Sequence, residues 1–192
     1  MTNKSYYHSP LQLIVSLWLI ASSAAFLAYA LANPIAEWDM LAYAASAEAL
    51  DSSNYELIHS QVYGELKERV TAAEYDFLTS ANSYRQTMHQ DVVAFTEQLP
   101  FYSIRITFNT LLATLRDFGI SVYDAGHWVT ATAYVVALLV LWGALNDRIH
   151  PVFQMLFPLM FFKYTMDLEA TRQILTDSLA SIWVVLNSLA QL

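Results

Sequence analysis

Cysteine is absent from this 192-residue chain. Its absence removes disulfide cross-links, thiolate nucleophiles and Cys-based metal sites. Glycine occurs four times and proline five times, too few for a turn-rich β fold, so helices are favoured. Charge is also scarce. Asp, Glu, Lys and Arg together make up 14% of the residues, against about 25% in an ordinary soluble domain. The nine Lys and Arg are outnumbered by 17 Asp and Glu, for a net charge of −8. That balance excludes a nucleic-acid surface, which needs a cationic excess to neutralise phosphates. No H-E-x-x-H pair, Walker loop or dinucleotide fingerprint occurs, so the sequence offers no metal motif and no cofactor motif. His59, His89 and His127 lie too far apart to form a ligand-spacing motif.

What is abundant is apolar. Hydrophobic residues reach 56%, and they gather in runs. From Ser5 to Ala36 there is no Asp, Glu, Lys or Arg. Within that run, residues 11–32 are long enough to cross about 30 Å of hydrocarbon as a helix. A cleaved leader is the rival reading, with Lys4 as its basic start and Ala30-Leu31-Ala32 as the cleavage site. The apolar run exceeds the ~7–15 residues of an ordinary leader core. Asn33-Pro34 ends the helix, because proline lacks the backbone donor. A second uncharged run, 125–146, is broken only by His127. Two weaker spans are expected at 150–165, where Pro158 interrupts "VFQMLFPLMFF", and at 172–191. The expectation is an all-α polytopic membrane protein with about four transmembrane helices.

Residues 34–122 differ from these runs. They hold 12 of the 17 acids and five of the nine Lys and Arg, and are expected to form extracytoplasmic juxtamembrane helices. Ser53-Asn54-Tyr55-Glu56 and Thr71-Ala72-Ala73-Glu74 are spaced as capping boxes. Leu57, Val62, Leu66 and Val70 supply an apolar stripe. Asp91 has the position of a cap, and Ser121-Val122-Tyr123-Asp124 opens a further helix. "LPFYSIRITFNTLLATLRDFGI" is mostly apolar but carries Arg105, Asn109 and Arg116, and is expected to lie as a helix in the membrane interface. With Lys4 and Arg148 on the cytoplasmic side, the N-terminus is cytoplasmic and 34–122 lies outside. The 5 Trp, 12 Tyr and 10 Phe suit an interfacial belt and core filling.

Directly after the first span comes "PIAEWDMLAYAASAEAL". Asp39 lies about one turn past Pro34, and Tyr43 shares its helical face at i+4. One reading makes Glu37 and Asp39 helix-start residues favoured by the dipole. The other makes Asp39 a general base in a site at the membrane edge. Asp177, near the start of the last span, is either a wetted helix-start residue or an in-span carboxylate facing a cavity. Arg105, Arg116, Lys163 and Arg172 are candidate phosphate ligands, although interfacial cations also simply extend to headgroups.

Three stretches in order resemble the N-terminal half of the C-type membrane glycosyltransferases, the superfamily of protein mannosyltransferases and lipid A aminoarabinose transferases. They are "EWDMLAYAASAEAL", "LPFYSIRITFNTLLATLRDFGISVYDAGHWVTATAYVVALLVLWGAL" and "EATRQILTDSLASIWVVLNSLAQL". The resemblance implies a partial transferase module in a bacterial inner membrane, handling a sugar carried on polyprenyl phosphate. It assigns Asp39 as the base, with Tyr43, Arg105, Lys163, Arg172 and Asp177 as substrate contacts. About four spans make a short wall for a lipid donor, so a second copy or an additional protein chain is expected to complete the site. The alternative is a non-catalytic accessory or scaffold protein packed against a larger partner.

Overall fold

A computed structural model describes residues 10–145, 149–156 and 158–160. Among them every regular element is a helix and no strand occurs. In chain order the helices are α1 (Pro10–Ala32), α2 (Asp39–Glu48), α3 (Tyr55–Arg69), α4 (Ala72–Ser80), α5 (Ser83–Gln90), α6 (Val92–Ser103), α7 (Ile106–Asp117), α8 (Val122–Leu145) and α9 (Pro151–Gln154).

Two of these helices are long and apolar enough to cross a membrane. They are α1, with a mean hydropathy of 2.0, and Val122–Ala144 of α8, with 1.5. They pack on each other through Leu19, Phe26 and Leu138, flanked by Tyr134, Val135 and Trp142. The first matches the expected 11–32; the second starts three residues before the expected 125. At the third expected span the described residues form only the single turn of α9 and a short helical piece at 158–160. The rest of that span, and all of 172–191, lie outside the described residues. α9 is tied back to the two long helices by side-chain bonds. Trp142 donates to Gln154 Oε1 at 3.1 Å, and Trp18 donates to the Met155 carbonyl at 2.9 Å.

The helices α2 to α7 form a second body against the first half of α8. α2 is its centre, in contact with α3, α6, α7 and α8. Small residues allow that position. Ala42, Ala44, Ala45, Ser46 and Ala47 are all buried, so neighbours approach the α2 backbone from every side. Around it the core is built from Phe95, Phe108, Leu41, Ile58, Leu66 and Leu112, all fully buried.

The local signals fare unevenly. Thr71 and Glu74 form the expected reciprocal capping box at the start of α4. Asp91 caps α6 through bonds from the backbone N–H groups of Val93 and Ala94. At α3 the cap is Asn54 rather than Ser53, with Asn54 Oδ1 accepting from the Leu57 N–H at 3.1 Å. The amide side chain suits the Ncap position, and it leaves Glu56 in the first turn, where the dipole favours an anion. The buried stripe of α3 is Ile58, Val62, Tyr63 and Leu66, and Leu57 faces outward.

The expected single interfacial helix over 99–120 is instead a corner between α6 and α7. Buried Asn109 braces this corner, donating from Nδ2 to the Tyr102 carbonyl at 3.0 Å and so bonding a C-terminal acceptor of α6. α7 then ends in a Schellman turn. Gly119, at φ 83°, donates to the Arg116 carbonyl, and Ile120 donates to that of Leu115. Glycine fits this left-handed position without strain.

Candidate functional site

Asp39 is the first residue of α2, so its carboxylate is near that helix's positive end. Four residues on, Tyr43 is buried at the same face. Across from them runs α6, whose inward stripe reads Phe95, Gln98, Leu99 and Tyr102, spaced at three and four residues. Tyr102 donates its phenolic O–H to Asp39 Oδ1 at 3.0 Å. Its ring meets Tyr43 edge-on at 4.9 Å. Arg105, just before α7, lays its guanidinium over the Tyr43 ring at 5.4 Å. From α5, Tyr84 donates to Gln98 Oε1 at 2.7 Å and packs its ring against Trp38 at 5.1 Å.

Asp39, Tyr43, Tyr84, Gln98, Tyr102 and Arg105 line one cleft of about 560 Å³, together with Glu97 and Phe101. Burial pushes the Tyr102 phenol well above its ordinary value, and the charge of Asp39 adds to the effect. Tyr84 is raised by burial first and by Asp39 second. At neutral pH both are therefore fixed hydrogen-bond donors. Gln98 is more than nine-tenths buried, and its Nε2 has no partner. An enclosed amide donor without a partner is costly, and this one lies behind the cleft wall, not open to it. The cleft thus offers two carboxylates, Asp39 and Glu97, one cation, Arg105, and phenolic and aromatic faces, a set suited to a polyhydroxylated ligand, with Arg105 the one lining group that would meet an anionic part of it.

Of the residues expected from sequence, Asp39, Tyr43 and Arg105 line this one cleft. Lys163, Arg172 and Asp177 lie outside the described residues. Arg116, also a candidate cation, is committed elsewhere. It bonds Glu48 at 2.9 Å, Asp117 at 2.9 Å and also Asp51, which joins the end of α7 to the end of α2. Its hydrogen bonds to three carboxylates take four of the five guanidinium N–H donors, and their charge outweighs its own, which leaves it poorly suited to a lipid phosphate. Sequence analysis missed Tyr102, Tyr84 and Gln98. For Gln98 a signal existed: it is a polar residue at a core-facing position of "VVAFTEQLPF".

A separate aromatic and imidazole cluster lies between α3, α4, α5 and α6. The Tyr63 ring is 4.6 Å from that of His59 and 4.8 Å from that of His89. Tyr75 and His89 share a hydrogen bond of 3.1 Å. Among the described residues, no group of His, Asp and Glu is arranged to hold a metal ion. Burial, followed by the neighbouring His59, holds His89 below the ordinary imidazole value of 6.5. The unfolded chain therefore takes up this proton more readily than the folded one. The resulting stability is fully present above pH 6.5 and is lost as pH falls through the folded value. We expect the melting temperature to drop between pH 7.5 and 5.5, and the drop to shrink in His89→Gln. An equal drop in both proteins would assign the pH response to another group.

No family model, curated protein or solved structure matches this chain. The resemblance to membrane glycosyltransferases therefore rests on the ordered stretches of the sequence alone.

Proposed function

We propose that the chain is an integral membrane protein whose Asp39 cleft binds a sugar carried on polyprenyl phosphate, as a module of a membrane glycosyltransferase. The observation that carries this reading is the meeting of Asp39, Gln98 and Arg105 in one cleft, beside two helices long and apolar enough to span. In the proposal α1 and α8 cross the membrane, two further crossings lie at 150–165 and 172–191, and the N-terminus is cytoplasmic. Asp39 Oδ1 is held by Tyr102, which leaves Oδ2 to take the proton of an acceptor hydroxyl. Arg105 would meet the lipid phosphate and stabilise the charge that develops as it leaves. Tyr84, held by Gln98, orients the sugar.

The test is binding to the full chain in lipid nanodiscs, with polyprenyl-phosphate sugars titrated against it. Saturable binding is expected. Removing a charged hydrogen-bond partner in Arg105→Ala should weaken it about 10- to 100-fold. Sugar transfer by a strict monomer is not expected, because in the proposal a second copy or an additional chain completes the groove for the lipid donor. No saturable binding by any such lipid, or full affinity in Arg105→Ala, would remove the basis of the proposal.

The scaffold reading has its own support. Among the described residues nothing covers Leu13, Ile14, Leu17 and Ile20 of α1, an apolar face that another protein's spans would fit. Co-purification of the chain with one larger membrane protein, together with an empty Asp39 cleft, would favour it.

A further inference from the structure

Helix α5 is short, and none of its eight residues is buried. Elements with few buried contacts open at the low end of a protein's range of local stabilities. Yet α5 supplies one wall of the Asp39 cleft. Tyr84 and Met88, one turn apart, both line it. The position of α5 therefore sets the width of the cleft.

Two imidazoles help to hold α5. His59 of α3 reaches the Met88 carbonyl from Nε2 at 3.0 Å. A carbonyl can only accept, so this nitrogen carries a proton. His89 of α5 is joined to the Tyr75 hydroxyl of α4 at 3.1 Å. Both rings lie against one phenol, Tyr63 of α3, at 4.6 and 4.8 Å. The titratable groups that face His89 are thus His59 and Tyr63 from α3 and Tyr75 from α4. From α6 the cluster receives Phe95, edge-on to His59 at 5.1 Å, while the one acid of that helix, Glu97, lines the cleft. Burial raises both Tyr63 and Tyr75 above the ordinary phenol value, so neither brings a negative charge. Asp91, two residues on, spends its Oδ1 on the N–H groups of Val93 and Ala94. Arg85, one turn before His89, bonds the Phe77 carbonyl at 2.9 Å and brings a further positive charge. Among the described residues neither imidazole is paired with a carboxylate. A cation formed on His89 is therefore half-buried, uncompensated and beside a second imidazole.

We propose that α5 is a proton-operated wall of the Asp39 cleft: proton uptake at His89 loosens α5 from α3 and α4, withdraws Tyr84 and Met88, and releases the ligand. This inference rests on the sugar-binding reading above and adds its regulation. The sign follows from linkage. Burial and His59 hold His89 below 6.5 while α5 is docked, so the released form takes the proton more readily. Falling pH then populates the released form, and a ligand that needs Tyr84 in place is held above pH 6.5 and lost below it. The coupling is reciprocal, so the bound ligand in turn makes the proton harder to add. With the N-terminus cytoplasmic, as proposed, α5 lies outside and reads the external pH.

The absence of cysteine makes the test direct. Gln86→Cys on α5 and Thr110→Cys on α7, both at exposed positions, carry a pair of spin labels in the full chain in nanodiscs. Their separation is measured at pH 7.5 and 5.5, beside binding of polyprenyl-phosphate sugars. One narrow distance is expected at pH 7.5. At pH 5.5 a second population should appear and binding should weaken about three- to tenfold, since one proton taken up a pH unit below 6.5 shifts an equilibrium by roughly tenfold at most. Both changes should shrink in His89→Gln, whose amide takes no proton. They should shrink also in His59→Gln, a second variant that removes the neighbouring charge. Equal responses in wild type and both variants assign the proton to another group and overturn the inference. A single distance at both pH values, or movement of α5 with unchanged affinity, overturns it too, and donor binding at pH 7.5 then leaves the sugar reading standing. If no donor binds at pH 7.5, the sugar reading fails and takes the inference with it.

Discussion

Asp39→Asn is expected to abolish sugar transfer while leaving the fold and most of the binding in place. Asparagine keeps the shape of the side chain, and its Oδ1 still accepts from Tyr102. What it loses is the capacity to take a proton. A positioned general base contributes about 10²- to 10⁴-fold to rate, so transfer should fall by that amount in membranes holding the chain with its partners. Binding of the donor lipid should weaken far less, because Arg105, Gln98 and Tyr84 are untouched. The measurement is radiolabelled sugar transfer beside donor binding on the same preparations. Equal transfer by wild type and Asp39→Asn would exclude Asp39 as the base. Equal losses in transfer and binding would make it a ligand contact rather than a proton acceptor.

The placement of Asp39 at a helix start, with Tyr43 on its face, was legible in the sequence because it is set locally. Pro34 sets the break, and Tyr43 follows at i+4 on the same helix. The capping box at Thr71 and the Asp91 cap were legible for the same reason, since each spans two or three residues. Tyr102 was not, because its bond to Asp39 crosses 63 positions and nothing local announces it. The role of Arg116 was hidden likewise: its partners Glu48 and Asp51 are 68 and 65 positions away. Alone it looks like a free interfacial cation, and in the fold it is a tie between two helices. The break after Ser103 follows the same pattern. Its apolar composition continues through the corner, and the Asn109–Tyr102 bond that braces it leaves no pattern in the sequence. The two long apolar helices were legible because their length and composition alone define them. How the helices between them pack was not, since that depends on which faces meet.

Ala45→Leu should destabilise the protein more than its size suggests. Ala45 is fully buried on α2, which α3, α6, α7 and α8 all touch. In a helix with one solvent face a larger side chain can swing outward. α2 offers no such direction over Met40 to Ala47, where every residue is buried. The added branched carbons must therefore push a neighbouring helix away or force an unfavourable rotamer. Overpacking of this kind costs about 1–3 kcal/mol, which in a chain of this size lowers the melting temperature by roughly 2–12 °C. The comparison is Ala73→Leu on the exposed side of α4, where a surface change should stay within about 0.5 kcal/mol. Both are measured by thermal melting in one detergent. The site gives a second readout, because Asp39 and Tyr43 belong to the same helix. A displaced α2 separates Asp39 from Tyr102, so Ala45→Leu should also weaken donor binding while Ala73→Leu does not. If Ala45→Leu melts with the wild type and binds as well, α2 is not enclosed on all sides, and the cleft is not held by its packing.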